Sequence, residues 1–381
     1  MRVLIFSTDD FLYPAGGAEQ ALGNITKRLP DIEFDLICAK LRKGVKGYEK
    51  VGNVSIYRMG LGIPKLDAYI VALCGHWCAY KLMRKHRYDL IWSIMASYGA
   101  FSAVRVKKKT GLPFLLTLQE GDSLEYIYKK VKYVKNSFGE IFKTADGIQA
   151  ISHYLLAWGT EMGFRGKLAE VVPNGVDLGV FTRAFPTEEI KRTRASFGFP
   201  QDALVLLTSS RLEEKNGISD VLSSLRLLRE EVCFVICGSG SLEAKMKNQV
   251  AQFNLGHRVK FMGFVDPLKL PLLLKSADIF IRPSLSEGLG NAFLEAMAAR
   301  LLIIGTPVGG IPDFLKDGET GFFCNPSDSQ SIVNTIRRIQ ALSPAEKQTI
   351  LEQAYNLVTS AYSWDIVSKK MRYIFTTLVK N

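Results

Sequence analysis

The chain has 381 residues, of which 47% are hydrophobic and 23% are charged, so it is long enough for two domains and too apolar for a disordered protein. No uncharged apolar run reaches the roughly 18 residues of a membrane-spanning helix, and Asp9 and Asp10 interrupt the stretch where a signal peptide would continue. The net charge is +12, and residues 1–175 hold 25 Lys and Arg against 16 Asp and Glu. We therefore expect a cytoplasmic protein with an anionic partner for its N-terminal half.

Short apolar runs alternate with longer helical patterns along the chain, which is typical of parallel α/β sheets. The strands predicted in the first half are Val3–Ser7, Phe34–Cys38, Val54–Arg58, Leu90–Ser93, Phe114–Thr117, Gly147–Ile151 and Leu168–Val172. Those predicted in the second half are Leu204–Ser209, Cys233–Cys237, Val259–Met262, Ile279–Pro283, Leu302–Thr306 and Gly321–Cys324. Helices are expected in the intervals, among them Ala18–Leu29, Asp220–Glu230, Gly290–Ala299 and Asp328–Leu342.

Two sets of this pattern predict two doubly wound, Rossmann-like domains. The turn-rich segment Val172-Pro-Asn-Gly-Val-Asp177 is the expected join, which gives a domain at 1–175, a second at 176–361 and a C-terminal helix at 362–381. Because doubly wound sheets bind ligands at the carboxyl ends of their strands, we expect the active site in an interdomain cleft.

Such a fold is common in nicotinamide-dependent dehydrogenases, but the spacing of the glycines in this chain argues against that function. Gly16-Gly17 follows the first strand without the G-x-G-x-x-G spacing, and Gly238-Ser-Gly240 has Glu243 where a third glycine belongs. The dinucleotide fingerprint is therefore absent at both places.

Six cysteines suit a reducing compartment. Cys74 and Cys78 are four residues apart, as are Cys233 and Cys237, and no C-x-x-C pair occurs. We read them as small apolar residues of a helix and a strand, and we expect no metal site.

The segment 282–298 carries the most chemical information. Glu287 lies in a loop with Gly288 and Gly290, and Glu295 follows in the next helix. Glu295 is eight residues beyond Glu287, and at about 1.5 Å per residue the pair spans roughly 12 Å along the helix axis. Glycines at a helix N-terminus let backbone N–H groups approach phosphate, and carboxylates accept hydrogen bonds from sugar hydroxyls. This pattern indicates a site for a sugar–diphosphate–nucleoside.

On these residues the chain resembles family 4 glycosyltransferases of the GT-B fold over nearly its full length. The motifs that carry the resemblance are Gly16-Gly17-Ala18-Glu19, Val172-Pro-Asn-Gly-Val-Asp177, Ser210-Arg-Leu-Glu-Glu-Lys215, Gly238-Ser-Gly240, the Glu287/Glu295 pair, Pro307-Val-Gly-Gly-Ile-Pro312 with Asp317-Gly-Glu-Thr-Gly321, and Tyr362-Ser-Trp-Asp365. The resemblance implies a UDP- or GDP-sugar donor on the C-terminal domain, an acceptor on the N-terminal domain and retention at the anomeric carbon. It implies no metal and no other cofactor.

The diphosphate needs cations, because it gains negative charge as the glycosidic bond breaks. Arg211 and Lys215 follow the first strand of the C-terminal domain and could converge on it. With Glu287 they are the expected catalytic residues on the donor side. The residues expected to bind the donor are Gly16, Gly17, Gly238, Glu287, Gly288, Leu289, Gly290 and Glu295.

One departure concerns the acceptor side. The family usually has T-x-H-G-x-D after a strand of the N-terminal domain, and this chain has Thr117-Leu-Gln-Glu-Gly-Asp122, with Gln119 at the histidine position. Gln119 can hydrogen-bond a sugar hydroxyl but cannot accept a proton, whereas Glu120 and Asp122 could. Either the histidine only orients the sugar, or another carboxylate serves as the base. Gln119 and Asp122 complete the set of expected catalytic residues.

Lysines and arginines cluster near this loop. The clusters are Lys81/Arg84/Lys85/Arg87, Arg105/Lys107/Lys108/Lys109, and Lys129/Lys130/Lys132/Lys135, the last interleaved with Tyr126, Tyr128, Tyr133 and Phe138. A cationic, aromatic helix suits docking on anionic lipid beside a glycan or lipid-linked acceptor, at the inner face of the membrane. A solvated helix with its aromatics in the core is the alternative. No nucleic-acid-binding fold accompanies the lysines, so we expect no nucleic-acid partner.

The resulting hypothesis is a retaining, hexosyltransferase-like glycosyltransferase (EC 2.4) of cell-envelope or polysaccharide biosynthesis. A sugar-nucleotide epimerase or a phosphorylase of the same fold is an alternative, although nothing indicates the lysine-bound pyridoxal phosphate that a phosphorylase needs. A degenerate homologue that binds nucleotide sugar as a partner subunit is the non-enzyme alternative, suggested by the missing histidine.

Overall fold

The computed structural model describes residues 1–13 and 16–380. Its contacts divide the chain into two units, one formed by Met1–Gly175 with the segment from Trp364 onward, the other by Val176–Ser363. Within the described residues, no helix has both the length and the apolar character required to cross a membrane.

The first unit is an eight-stranded sheet with helices between its strands. Its strands are β1 (Arg2–Phe6), β2 (Glu33–Ala39), β3 (Tyr48–Val51), β4 (Val54–Met59), β5 (Leu90–Ile94), β6 (Phe114–Leu118), β7 (Gly147–Ala150) and β8 (Leu168–Val171). Its helices up to the join are α1 (Gly17–Lys27), α2 (Pro64–Met83), α3 (Tyr98–Thr110), α4 (Leu124–Lys130), α5 (Lys135–Thr144) and α6 (His153–Glu161).

The order of this sheet is β3-β4-β2-β1-β5-β6-β7-β8. Every neighbouring pair is parallel except β3 and β4, which are antiparallel. The sequence analysis missed β3 and expected a purely parallel sheet. The reason is that β3 is an edge strand whose residues are largely open to solvent, so it lacks the apolar run that identifies a central strand.

The second unit is a six-stranded, wholly parallel sheet in the order β11-β10-β9-β12-β13-β14. Its strands are β9 (Leu204–Ser209), β10 (Val232–Cys237), β11 (Val259–Gly263), β12 (Ile279–Ile281), β13 (Leu302–Gly305) and β14 (Phe322–Phe323). Its helices are α7 (Leu178–Phe181), α8 (Thr187–Ala195), α9 (Ile218–Leu225), α10 (Glu243–Gln252), α11 (Leu270–Lys275), α12 (Asn291–Ala298), α13 (Ser329–Ala341) and α14 (Pro344–Ala361).

The predicted strands and helices of both units are present with boundaries shifted by a few residues. The largest shift is at the helix expected over Asp220–Glu230, which ends at Leu225 because the chain must turn before β10 begins at Val232. The strand expected to reach Pro283 ends at Ile281. Proline has no N–H to donate to a neighbouring strand, which favours this early end.

The last helix, α15 (Trp364–Lys380), belongs to the first unit. It begins at Trp364 rather than at the expected Tyr362, whose carbonyl accepts a hydrogen bond from Val176 N at 2.7 Å within the second unit. Trp364 is buried against Gly175, where an added Cβ would lie 2.7 Å from the indole. The Phe375 ring packs 5.0 Å from Trp92 in the core of the sheet.

This packing predicts that Phe375→Ala destabilises the first unit by about 3–5 kcal/mol, because the substitution leaves a cavity under the sheet. Tyr373→Ala on the same helix is the matched control, since Tyr373 is 60% exposed. Urea unfolding of the full chain measures both variants. Equal effects would contradict the docking of α15 on the sheet.

Candidate active site

The site expected in the second unit forms where β9 and β12 lie side by side. The strand order reverses between these two strands, and ligands of doubly wound sheets bind at such a point. The loops that follow them are joined by a hydrogen bond from Leu285 N to Lys215 O at 2.7 Å. A Cβ on Gly217 would lie 2.0 Å from Pro283 O, so only glycine permits this approach.

An ion pair fixes the Glu287 carboxylate in this loop. Arg282 Nη2 lies 2.5 Å from Glu287 Oε2, and the side chains are only 8% and 18% exposed. Gly288 N donates to Glu287 Oε1 at 3.1 Å, and the Arg282 guanidinium stacks 4.6 Å from the Phe293 ring centroid. Glu287 therefore keeps one orientation before any ligand binds.

The proline- and glycine-containing segment 307–312 holds the backbone of the same glutamate. Gly310 N donates to Glu287 O at 3.2 Å. Gly309 has φ +55°, and a Cβ there would lie 1.8 Å from Glu287 O. Both the carboxylate and the carbonyl of Glu287 are thus positioned from neighbouring segments.

Glu295 lies on α12, and burial raises its pKa to about 7, an effect that the nearby Arg282 charge opposes. The helix begins only at Asn291, with Gly290 as N-cap at φ +97°. The stretch 287–290 is a loop, as expected for Glu287, and the separation of roughly 12 Å between the two carboxylates stays a prediction. Leu289 is buried beside the cap.

The loop after β10 packs directly on the loop after β9. Gly238 has φ +140°, and a Cβ there would lie 1.8 Å from Ser210 O. Ser241 Oγ donates to Glu213 Oε2 at 2.7 Å. The Gly238-Ser-Gly240 turn therefore borders the loop that carries Arg211 and Lys215.

Arg211 is exposed and Lys215 is half-buried on this loop, which Asn216 Nδ2 braces by donating to Arg211 O at 2.6 Å. Glu213 lies between the two cations in sequence. Its pKa is lowered, chiefly by the Ser241 hydroxyl and further by the charges of Arg211 and Lys215. Both cations thus act on one local region, and their contact with a diphosphate stays a prediction.

Buried polar atoms without a partner surround the same strand ends. Thr208 Oγ1, Ser210 Oγ and Ser284 Oγ have no hydrogen-bond partner within the described residues, and neither has Arg282 Nε. Buried polar groups normally pair with protein, water or ligand, so this set indicates a polar ligand site.

In the first unit, the strand order reverses between β1 and β5. Gly16 precedes α1 as an extended N-cap, and Gly17 is its first residue. Pro14 and Ala15 of this turn lie outside the described residues. Gly16-Gly17 thus lies at the carboxyl end of β1, and its closure on the donor stays a prediction.

Gln119, Glu120 and Asp122 lie in the loop after β6. Asn174 Nδ2 donates to Gln119 Oε1 at 3.2 Å, which ties this loop to the join. Glu120 is buried and its Oε1 accepts from Ala96 N at 2.8 Å, while Oε2 has no partner in the described part of the chain. Burial raises the pKa of Glu120 to about 7, and the Asp122 charge adds to the effect.

Sequence reasoning missed Arg282, Asn174 and the burial of Glu120. Arg282 carried a signal, since an arginine that ends a fully apolar strand is a buried charge that needs a partner. Asn174 and Glu120 carried none, because their partners are remote in sequence. Across the described residues, no three His, Cys, Asp or Glu side chains form a cluster that could hold a metal.

Two family models match the chain, "Glycosyl transferases group 1" over residues 189–356 and "Glycosyltransferase Family 4" over residues 15–180. An uncharacterized glycosyltransferase, MJ1607 of Methanocaldococcus jannaschii, is 30% identical over 203 residues, which are 53% of this chain and 52% of that protein. The chain thus spans about half the length of this relative. The putative teichuronic acid biosynthesis glycosyltransferase TuaC of Bacillus subtilis is 26% identical over 92% of this chain and 91% of its own length.

The solved structures show the same fold. Anabaena HepE in complex with UDP-glucose has a TM-score of 0.79 and 20% identity, with 99% of this chain and 100% of HepE covered. The GT-B fold inferred from the motifs is confirmed.

The buried carboxyl of Glu120 generates a pH-dependent prediction. With its pKa raised from 4.5 to about 7, the folded state holds a proton that the unfolded state releases. This contribution to stability is complete below pH 4.5 and is lost as the pH rises through 7, by an amount on the order of 3 kcal/mol. Glu120→Gln cannot ionise, so its stability relative to the wild type should rise between pH 5 and pH 8.

Urea unfolding at the two pH values measures this difference. Glu161→Gln is the control, because Glu161 is exposed at the end of α6. A difference between wild type and Glu120→Gln that does not change with pH would show that Glu120 is already ionised at pH 5.

Proposed function

Because this chain belongs to glycosyltransferase family 4, we propose that it is a retaining transferase that moves a sugar from a nucleoside-diphosphate sugar to an acceptor hydroxyl. The proposal rests on the constrained pair of loops after β9 and β12. These loops present Glu287, Arg211 and Lys215 at the carboxyl ends of two neighbouring strands. No metal or other cofactor takes part in the proposed reaction.

The second unit would bind the donor. Glu287 and Glu295 can accept hydrogen bonds from sugar and ribose hydroxyls, and with its pKa near 7 Glu295 can also donate. The orphan hydroxyls of Ser210 and Ser284 supply further polar contacts. HepE binds UDP-glucose on the same fold, which favours a UDP-sugar, with a GDP-sugar as the alternative.

Arg211 and Lys215 would stabilise the departing nucleoside diphosphate. Their loop is held by Asn216 and by the Gly238 turn, so the cations need little reorganisation when the bond breaks. The Glu213 carboxylate, which lies between them in sequence, would reduce the repulsion between Arg211 and Lys215 in the free site.

The acceptor proton would pass to the departing phosphate. Gln119 cannot titrate, and its side-chain oxygen is held by Asn174, so its role would be to orient a sugar hydroxyl. With the phosphate as base, retention needs no carboxylate in the loop after β6. Asp122 would then assist through its charge alone.

TuaC is named for teichuronic acid biosynthesis, which supports a glycan or lipid-linked acceptor. The basic clusters of the first unit support binding to an anionic surface, so we place the enzyme in the cytoplasm, peripheral on the inner face of the membrane. A catalytically inactive nucleotide-sugar-binding subunit is the second candidate, on the observation that Gln119 replaces histidine. An epimerase of the same fold is a third, which product analysis would separate from a transferase.

The donor assignment predicts that Arg211→Ala and Lys215→Ala each lower turnover about a hundredfold or more, because each removes a charge that stabilises the leaving group. Turnover is measured as the release of UDP from UDP-glucose, which chromatography monitors. The release of GDP from GDP-mannose is measured in parallel. Lys245→Ala on α10 is the matched control, since Lys245 is an exposed cation outside these loops.

A thermal-shift titration shows which nucleotide binds, since a ligand specific for the folded state raises Tm. Near-wild-type turnover in both variants would overturn the assignment of the diphosphate site. Nucleotide binding with no turnover on any donor would favour the inactive subunit.

The loop after β6 generates a second prediction. Gln119→Ala should lose about twofold to tenfold in turnover, the worth of a neutral hydrogen bond, and Gln119→His should keep most of its activity. Asp122→Asn should fall only modestly, because the phosphate accepts the proton. A loss of a thousandfold or more in Asp122→Asn, with donor affinity and Tm unchanged, would identify Asp122 as the base instead.

A further inference from the structure

The outward face of α2 is apolar although it is open to solvent. Its large residues recur every three or four positions and therefore share one side of the helix. They are Leu66, Tyr69, Leu73 and Trp77, which are 44%, 55%, 59% and 67% exposed. The segment before the helix adds Leu61 and Ile63 at 68% and 46%. We call these six residues the α2 face.

The opposite side of α2 is apolar too. Val71, Ala72 and Ala79 are buried, and at Gly75 an added Cβ would lie 2.9 Å from Ser102 Oγ of α3. A surface helix normally buries one apolar stripe and presents polar residues to water. A helix that is apolar on both sides is normally buried on both sides. In the free chain none of the residues that the structure describes covers the α2 face, which is open to solvent.

Cations surround the α2 face. Lys65 is the second residue of the helix, while Lys81, Arg84 and Lys85 follow Trp77, and all four are exposed. Lys109 of α3 lies with its Nζ 4.5 Å from the ring centroid of Tyr80, next to Trp77. The apolar surface is thus bordered by positive charge at both ends.

The surface continues onto α3 through Tyr98. The Tyr69 ring lies 5.3 Å from the Tyr98 ring. Burial raises the pKa of Tyr98, Tyr69 adds to the rise, and the charge of Lys130 opposes it. Lys130 Nζ in turn lies 4.4 Å from the Tyr126 ring centroid. Tyr98 of α3 thus extends the α2 face, and Lys130 with Tyr126 forms a cationic, aromatic pair on α4.

We infer that the α2 face is a docking surface for an anionic lipid bilayer, with α2 lying in the plane of the interface. This inference rests on the proposed function in taking the acceptor to be presented at a membrane, and it names the surface that would reach it. Leu61, Leu66 and Leu73 would enter the acyl boundary, and Trp77 and Tyr69 would lie at headgroup depth. The surrounding lysines and arginines would contact lipid phosphates.

A second copy of the chain fits this surface poorly. In a two-fold interface residue i of one copy contacts residue j of the other and j contacts i, so with the two α2 helices antiparallel Lys65 of each copy would face Lys81 of the other. An anionic bilayer instead neutralises the cations while it covers the leucines.

Trp77 provides a direct probe of the surface. Of the four tryptophans, Trp92, Trp158 and Trp364 are buried, and Trp77 is the exposed one. The full chain is mixed with vesicles of phosphatidylglycerol and phosphatidylcholine, or of phosphatidylcholine alone. With the anionic vesicles we expect a blue shift of the emission and quenching by brominated acyl chains. Sedimentation without either change would overturn insertion of α2.

A matched pair of variants separates the apolar contact from charge. Leu66→Ser/Leu73→Ser keeps the Trp77 reporter and every cation, and Phe264→Ser/Leu268→Ser removes two comparably exposed residues of the second unit, at 80% and 74%. We expect the α2 variant to bind anionic vesicles at least about tenfold more weakly, because two leucines no longer leave water, and the control to bind as the wild type does.

Salt provides the remaining test. Raising it from 0.1 M to 0.5 M should weaken binding without abolishing it, since charge is screened and apolar burial is not. Complete loss of vesicle binding at 0.5 M salt, or equal binding by the two double variants, would show that binding depends on the cations alone. Either result would overturn the inference. A dimer in solution that Leu66→Ser/Leu73→Ser dissociates, without vesicle binding, would assign the face to a second copy.

Turnover of UDP-glucose without vesicles distinguishes this inference from the proposed function. Wild-type turnover in the α2 variant together with weakened vesicle binding supports the docking surface. Turnover without any response of Trp77 to vesicles overturns the surface alone. A Trp77 blue shift in a chain that turns over no donor overturns the transferase alone.

Discussion

Three close approaches between backbones hold the candidate active site of the second unit in shape. Gly217, Gly238 and Gly309 each have a positive φ, and a Cβ at any of them would lie 1.8–2.0 Å from a carbonyl oxygen of the adjacent loop. Only glycine removes that clash, and the strand order brings the loops together in the first place. The loops that carry Arg211, Lys215 and Glu287 are therefore positioned by backbone contacts, before any side chain contributes.

Electrostatics then differentiates two glutamates that look equivalent in sequence. Glu287 is paired with Arg282, whereas Glu295 on α12 is half-buried, and desolvation raises its pKa to about 7. One carboxylate is held by a permanent cation, and the other can change its protonation near neutral pH. The desolvation of Arg282 is offset by its ion pair and by its stacking on Phe293.

The first unit is organised by a chain of buried hydrogen bonds through its sheet. Trp92 Nε1 donates to Thr117 Oγ1 at 2.8 Å, Thr117 Oγ1 donates to Gln149 Oε1 at 2.7 Å, and Gln149 Nε2 donates to Val172 O at 2.6 Å. These bonds join β5, β6, β7 and the segment after β8, and α15 packs beneath them through Phe375. The loop of Gln119 and Glu120 follows directly from this rigid sheet.

The sequence by itself determined the parallel strands of both sheets, the strand–loop–helix context of Glu287 and Glu295, and the family. It could do so because apolar periodicity and glycine spacing are local properties of the chain. It did not determine the ion pair of Arg282, the contact between Asn174 and Gln119 or the raised pKa of Glu120, since the partners are remote in the chain. From the sequence, Cys74 and Cys78 of α2 were interpreted only as small apolar residues of a helix. Only the tertiary structure decided that one apolar side packs on α3 while the other faces solvent, because periodicity cannot tell a covered helix face from an exposed one when both are apolar.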